Sequence, residues 1–475
     1  MKKIVLISFI FSLFVCSCTN DSFEEINEGY NNLSDVDYNY LVNTGIKALA
    51  DGEFSVNDWA HLVAYANFAP GQYDHWRGST PWDGTYLTNK NLLDALQRAE
   101  VDETENGRKA EAMVKILRSY IFVRLTDTYG DVPYFEAGYE GKDGINEMPK
   151  YDSQKAIYED CYKNLTEAIE TIGDESTVLL GNADFVYNQD LQLWKKFANS
   201  QRLRMALRVS YVDKALAETW LSHVLTYDLI SSTDESASYA RFMDAGYENP
   251  RFQSGNRNIS AKLVDYLLVH DDPRLPQLAT LPATGVYKGL PNGLTFGEDP
   301  SFSLLGPEFT RSDRHTPILM YSEVCFNMAE LYVRGLSVSA DNAKANEWFK
   351  KGIESSLKEW SVDEETVTAF MPTVPDLSGD TEDKLEQIGS EKWVAFMDNG
   401  HEAYSELRRS GYPVIADRQP DQGPSLGETN GKLPRRFKYP NVEILYNTEN
   451  YEKAEAATDG DSFLAKVWWD VRELN

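Results

Sequence analysis

The stretch KAEAMVKILRSYIFVRLTDTYG, residues 109–130, sets Ala110, Met113, Leu117, Ile121 and Leu125 three or four residues apart, with charges mostly between them. That period belongs to a helix with one apolar face. Just upstream, WDGTYLTNKNLLDALQRAE (82–100) begins near an Asp and carries Tyr86, Leu92, Leu93 and Leu96, and Asn106-Gly107 punctuates the gap. Together the two segments predict a helical hairpin.

The pattern recurs along the chain. In YDSQKAIYEDCYKNLTEAIETIG (151–173), Ile157, Cys161, Leu165 and Ile169 form a stripe at spacing four. In LQLWKKFANSQRLRMALRVS (191–210), Trp194, Phe197, Ala198, Met205 and Val209 fall on or near one face. ALAETWLSHVLT (215–226) and ISAKLVDYLLVHD (259–271) make an expected third pair. TPILMYSEVCFNMAELYVRG (316–335) and DNAKANEWFKKGIESSLKEW (341–360) make a fourth, with Asp341 as cap and Ala345, Trp348, Phe349 and Ile353 inward. DKLEQIGSEKWVAFMDNG (383–400) and HEAYSELRRSG (401–411) follow. Recurring hairpins predict an all-α, tetratricopeptide-like stack, although no consensus repeat is visible. Irregular stretches at 228–257, 273–315, 365–382 and 412–466 separate the helices, and loops of that length carry function. FKYPNVEILYN (437–447) alternates like a short strand; nothing argues for a large sheet.

The chain opens MKKIVLISFIFSLFVCSC, with Lys2 and Lys3 before an apolar run from Ile4 to Val15. This has the build of a signal peptide and is too short for about 30 Å of hydrocarbon, which takes about 20 apolar residues. Val15-Cys16-Ser17-Cys18 resembles a bacterial lipobox, which makes Cys18 the lipid-bearing first residue of the mature chain; an ordinary signal with incidental cysteines is the plainer alternative. The resulting plan is a signal peptide at 1–17, a lipidated tether at 18–34 and a helical domain with inserted loops at 35–475. Several acyl chains on one cysteine anchor firmly where a single chain is marginal. The acidic TNDSFEE (19–25) resembles the surface-export signal of lipoproteins in the Bacteroides group.

The 475 residues carry 46 basic and 75 acidic side chains, a formal charge of −29. That balance repels nucleic acid and gives no basic patch for an anionic membrane, so lipid is the expected anchor. A 42% hydrophobic content argues against wholesale disorder. Cys161 and Cys325 sit in helical patterns beside apolar neighbours and read as buried small hydrophobes rather than a disulfide or a nucleophile.

No HExxH, GxxxxGK[ST] or GxGxxG motif occurs. None of His61, His75, His223, His270, His315 and His401 has another histidine within five residues, so no metal site and no cofactor is expected. Asp35-Val36-Asp37-Tyr38-Asn39 matches half a calcium loop but lacks its glycine and closing Glu; structural calcium is not signalled, and a helix start fits better. Asp127 and Asp131 have the look of a paired-carboxylate hydrolase, yet at a glycine-closed helix end turn capping and solvation are simpler roles. The chain holds 10 Trp and 27 Tyr, and APGQYDHWRGSTPWDGTY (69–86) concentrates them. Tyr73, His75, Trp76 and Arg77 are the candidate ligand contacts, since loop aromatics suit sugar faces and polar neighbours suit hydroxyls; peptides use similar surfaces. Trp82 and Tyr86 read instead as plugs at the foot of the following helix.

Several stretches in order resemble the SusD/RagB-like outer-membrane nutrient-binding lipoproteins. They are WDGTYLTNKNLL from Trp82, ILRSYIFVRLTDTYGDVPY with Tyr129, Gly130 and Pro133, and LWKKFANSQRLRMALRVS with Trp194 and Arg202. MYSEVCFNMAELYVRG follows with Glu330, then SEKWVAFMDNGHEAYSELRRSGYP with Trp393, Arg408 and Arg409, where Tyr404 replaces a common Trp. The resemblance implies an all-helical fold of four tetratricopeptide-like units, loops that carry the ligand site, and no catalysis. It further implies a SusC-like TonB-dependent barrel as partner, the cell exterior as location, and oligosaccharides or, in some members, peptides as ligand. On physical grounds the landmarks are structural, and Arg202, Arg204, Arg408 and Arg409 require carboxylate or carbonyl partners if buried. A surface glycoside hydrolase and an adhesive protein-binding stack are the rival readings.

Overall fold

A computed structural model describes residues 37–51, 56–65, 80–141, 144–181, 183–240, 257–293, 299–417 and 427–473. The principal helices are α1 (Tyr38–Ala50), α2 (Thr80–Val101), α3 (Glu105–Tyr129), α4 (Gln154–Ile172), α5 (Leu191–Val209), α6 (Lys214–Val224) and α7 (Ala261–Val269). They continue with α8 (Tyr321–Arg334), α9 (Asn342–Glu359), α10 (Thr381–Ala395) and α11 (Gly400–Ser410). Polar side chains start most of them by accepting the free backbone N–H groups of the first turn. Asp37 accepts from Asn39, Ser153 from Ala156, Asp190 from Gln192 and Leu193, and Asp341 from Ala343 and Lys344. Asp380 and Asp383 form a reciprocal capping box on α10. Gly130 ends α3, its N–H donating to Thr126 O.

Consecutive helices pack as predicted for a hairpin stack. α2 lies on α3 with α1 across both, α4 on α3, α5 on α4, and α6 on α5. α8 and α9 form the tightest later hairpin, α10 packs on α8, and α11 returns to touch α10 and α3. One apolar core runs from Val42 to Trp469, with a satellite around Phe326, Phe349 and Ile353.

Three local expectations differ. The third pair does not form as a hairpin, because α6 is taken up by α5 while the Tyr266 hydroxyl of α7 donates to Glu391 on α10. Asn106-Gly107 lies within the first turn of α3, where Thr104 accepts from the Gly107 N–H, so the linker is shorter than those residues implied. The alternating 437–447 stretch contains the helix Asn441–Tyr446 instead of a strand. Pro440 stands at its N-cap, and Val442 and Leu445 face solvent, so no sheet claims the alternation. Among the described residues the strands form three two-stranded ladders.

Candidate ligand-binding region

Cys18 and the candidate contacts Tyr73, His75, Trp76 and Arg77 lie outside the described residues. What is described is the platform that carries their segment. Val63–Tyr65 pairs antiparallel with Arg257–Ile259, setting Tyr65 opposite Arg257, whose guanidinium carbon is 5.8 Å from the tyrosine ring centre. Asn292 locks this ladder: its Nδ2 donates to Asp58 Oδ1 at 2.8 Å and Val63 O at 2.6 Å, and its Oδ1 accepts from the Ser260 hydroxyl at 2.6 Å. Phe302 packs with Ala64 and Leu290 behind it, with the Lys288 ammonium 4.2 Å from the Phe302 ring centre. Residues 66–79 thus follow Tyr65 and residues 241–256 precede Arg257 on this ladder, while residues 294–298 follow Gly293, next to the Asn292 that bonds it. Sequence reading missed Tyr65, Arg257 and Asn292, because the pairing joins segments far apart in the chain and no local pattern announces it.

Residues 66–79 rejoin the described chain at α2, over a cluster of rings. Trp82 is buried, its ring 5.2 Å from Tyr86, 5.1 Å from Tyr129 and 6.0 Å from Tyr439. Phe437 extends the cluster, 5.8 Å from Tyr129 and 4.4 Å from Trp59. Buried polar tips are satisfied, as large aromatics require. The Tyr86 hydroxyl donates to Pro133 O, Trp194 Nε1 to Asp184 and Trp393 Nε1 to Ala60 O. Trp82, Tyr129, Pro133, Trp194 and Trp393 are thus placed in the interior, away from solvent.

A buried ionic network ties the stack behind this platform. Arg204 on α5 donates to both oxygens of Glu323 at 2.7 and 2.6 Å and reaches Glu402 at 3.2 Å. Arg208 bridges Asp127 at 2.7 Å and Glu402 at 2.5 Å. Arg409 meets Glu330 at 2.8 and 2.6 Å and also pairs with Glu406. Arg408 is held by the carbonyls of Arg435 and Asp127, both at 2.8 Å, with its guanidinium over Tyr404. Burial alone would raise the Glu330 pKa, but the Arg409 charge and hydrogen bonds outweigh it and bring it down to about 2.

Arg202 departs from expectation. It is fully buried, yet meets neither carboxylate nor carbonyl: Nη2 donates to the Tyr162 hydroxyl at 2.9 Å, and its guanidinium lies against the Tyr162 and Tyr227 rings. Ring faces attract a cation where no anion is at hand. Asp127 also departs from its solvated reading. It is buried and accepts from Tyr158 at 2.5 Å and Trp469 at 2.6 Å besides Arg208, and burial raises its pKa against the pull of Arg208. Asp131 does act at a helix end, accepting the Gln154 N–H of α4 at 2.9 Å. The two carboxylates do not face each other across an open groove, since Asp127 is enclosed.

Cys161 and Cys325 are unpaired and buried, and burial pushes both thiols up to about 12, far from nucleophilic use at neutral pH. Among the described residues no group of three or more His, Cys, Asp or Glu is arranged to hold a metal, and no helix is long and apolar enough to cross a membrane.

The arrangement is an all-α helical-hairpin scaffold in which Tyr65 and Arg257, at the ends of two described segments, meet on one ladder. The chain belongs to the SusD-like family: residues 30–440 match the family model described as starch-binding, associating with outer membrane. Among solved structures, a chitin-binding protein is 27% identical, covering 92% of this chain and 100% of that one, with a TM-score of 0.77. A SusD homolog from Bacteroides ovatus is 25% identical over 92% of this chain and 100% of its own, with a TM-score of 0.75. A chitin-binding SusD homolog from Flavobacterium johnsoniae shares the fold at 22% identity and a TM-score of 0.78, covering 92% of this chain and 99% of that one. No curated protein matches the sequence.

Proposed function

We propose that this chain is a lipid-anchored protein of the outer membrane that faces the cell exterior, captures oligosaccharides without altering them, and hands them to a SusC-like TonB-dependent barrel. The observation that carries the reading is the family match over residues 30–440. Its description names starch and the titles of two structural relatives name chitin, both polymers of pyranose rings, so a pyranose chain is the ligand class. Tyr73, Trp76 and His75 supply ring faces and Arg77 a donor, on a segment whose root is fixed by the Tyr65–Arg257 ladder. Lipid on Cys18 holds the chain, residues 18–34 form the tether, and residues 35–475 form the binding domain. No chemical step is involved, and modest affinity suits a ligand that must leave again.

The test is a binding screen of the full chain against starch, chitin and other oligosaccharides and against peptides, with analysis of the recovered ligand. Glycan binding with the ligand returned intact is expected. Shortened glycan would make the protein a hydrolase, and selective peptide binding would replace the sugar reading. Membrane fractionation of Cys18→Ala is expected to move the chain to the soluble fraction; unchanged retention would remove the lipid anchor. Co-purification with a TonB-dependent barrel from the native membrane checks the partner.

A further inference from the structure

A pocket of about 290 Å³ opens among α2, α3, α4 and the turn that follows α3, sharing no residue with the loop-bearing ladder. The turn is held from two sides. Asp152 Oδ2 accepts the N–H groups of Tyr134 and Phe135 at 3.0 and 2.8 Å, and Asn89 Nδ2 donates to Ala137 O at 2.9 Å. Gly138, at φ +80°, lets the backbone close onto α2, since a Cβ there would stand 3.1 Å from Asn89 Nδ2 and 3.2 Å from Leu93 Cδ1. So fixed, Phe135 and Tyr139 stay 46% and 44% exposed while lining the pocket.

Polar groups converge beside these rings. Arg118 is only 7% exposed; Nε donates to Asn89 at 2.9 Å and Nη2 to Tyr134 O at 3.1 Å, and its guanidinium carbon is 5.6 Å from the Tyr139 ring centre. Its Nη1 meets no acceptor among the described residues. Asp160 Oδ2 accepts from the Tyr134 hydroxyl and Asn164 Nδ2, both at 2.7 Å, which leaves Oδ1 without a donor. A fixed donor and a fixed acceptor beside exposed ring faces match a vicinal diol on a ring with an apolar C–H face. Charge separates this from an anionic ligand: Lys115 at the wall is already paired with Glu111 and Glu167, and Asp160 opposes Arg118. The volume lies at the lower limit of small-molecule pockets, room for one ring rather than a chain.

We infer that this pocket binds a single neutral pyranose residue, with its C–H face on Phe135 or Tyr139 and its hydroxyls between Arg118 and Asp160. It is a second sugar contact, independent of the loop site, and its ligand class rests on the pocket's own chemistry. Two sites on one scaffold add avidity for a branched or folded glycan without any new contact at either.

Saturation-transfer NMR on the detergent-solubilised full chain, with glucose, N-acetylglucosamine and glucuronate as probes, tests it. At least one neutral sugar is expected to bind, and Phe135→Ala/Tyr139→Ala is expected to weaken it by about tenfold or more. Both rings are nearly half exposed, so that variant is expected to stay folded at the assay temperature, which its unfolding midpoint checks; Asn164→Ala gives a second, ring-independent reduction. Trp76→Ala leaves the monosaccharide signal intact. Absence of binding by both neutral sugars, wild-type binding in the double variant, loss of the signal with Trp76→Ala, or preference for glucuronate would each overturn the inference. The two readings fail separately, because monosaccharide binding reports the pocket and oligosaccharide capture lost with Trp76→Ala reports the loops.

Discussion

Two arginines on α5, two positions apart, lie equally buried in different company. Arg204 neutralises Glu323 and part of Glu402, whereas Arg202 has a phenol and two ring faces. Removing one partner of a buried pair leaves the other charge desolvated and costs about 3–5 kcal/mol, so Arg204→Met should lower stability by that amount. Arg202→Met orphans no carboxylate and should cost no more than about 1.5 kcal/mol, the worth of one hydrogen bond. Denaturant unfolding of the two variants side by side checks this; equal losses would mean that Arg202 has an anionic partner after all. The same network sets the acid limit. Glu330 falls from an ordinary 4.5 to about 2 in the folded chain, and Glu406 is lowered too by Arg409 and Lys392 against the burial that raises it. Because the folded-state value lies below the unfolded one, the Glu330 contribution is complete above about pH 4.5 and is lost as pH falls through about 2, and Glu406 acts in the same direction. Unfolding midpoints followed across that window should drop, and Glu330→Gln should flatten the drop while lowering stability at neutral pH. The sequence shows that such arginines need partners, but with 75 acidic residues to choose from it cannot say which. Arg208 and Glu402 are too distant in the chain for spacing to reveal the pair, and Asp127 was open to a solvated reading for the same reason.

At the level of helices, period and caps are local properties, and they are legible. The stripe at 109–130, the Asp341 cap and the stop at Gly130 all follow from neighbours within a few residues. Pairing is not local. α6 and α7 each show a helical face, yet nothing in either says that α5 takes the first and α10 meets the second. The alternation at 437–447 failed because period alone cannot separate a short strand from a one-turn helix begun by Pro440. The α8–α9 hairpin supplies a test of element packing. A Cβ on Gly352 would stand 2.7 Å from Phe326 Cε1, and Phe326 is itself enclosed, edge-on to Phe349 at 6.1 Å. The ring has no solvent to swing into, so Gly352→Val should cost about 1–3 kcal/mol by overpacking. Faster amide exchange should appear in α8 and α9 before the rest of the stack; wild-type exchange there would show that the helices separate without penalty.

Across the whole molecule, the forces that hold the scaffold and those proposed to hold the ligand occupy different residues. The ionic network and the ring cluster around Trp82 are enclosed, while the candidate contacts belong to the stretch that follows Tyr65 in the chain. The fold itself is shared at 22–27% identity, with TM-scores of 0.75–0.78. Sequence reading is limited at the proposed site because the stretch 69–79 has no hydrophobic period by which ligand contacts could be recognised. The division makes a paired prediction. If Trp76 is a ligand contact rather than a core residue, Trp76→Ala should leave the unfolding midpoint within about 0.5 kcal/mol of wild type and should weaken oligosaccharide binding by about tenfold or more, the loss of one stacked ring. Arg204→Met should do the reverse, lowering the midpoint while ligand affinity of the still-folded fraction stays at the wild-type value. Calorimetric titration on both variants below their unfolding transitions reads the two effects separately. If Trp76→Ala destabilises the fold as much as Arg204→Met does, the loop is part of the core, and ligand choice and stability are not separable in this chain.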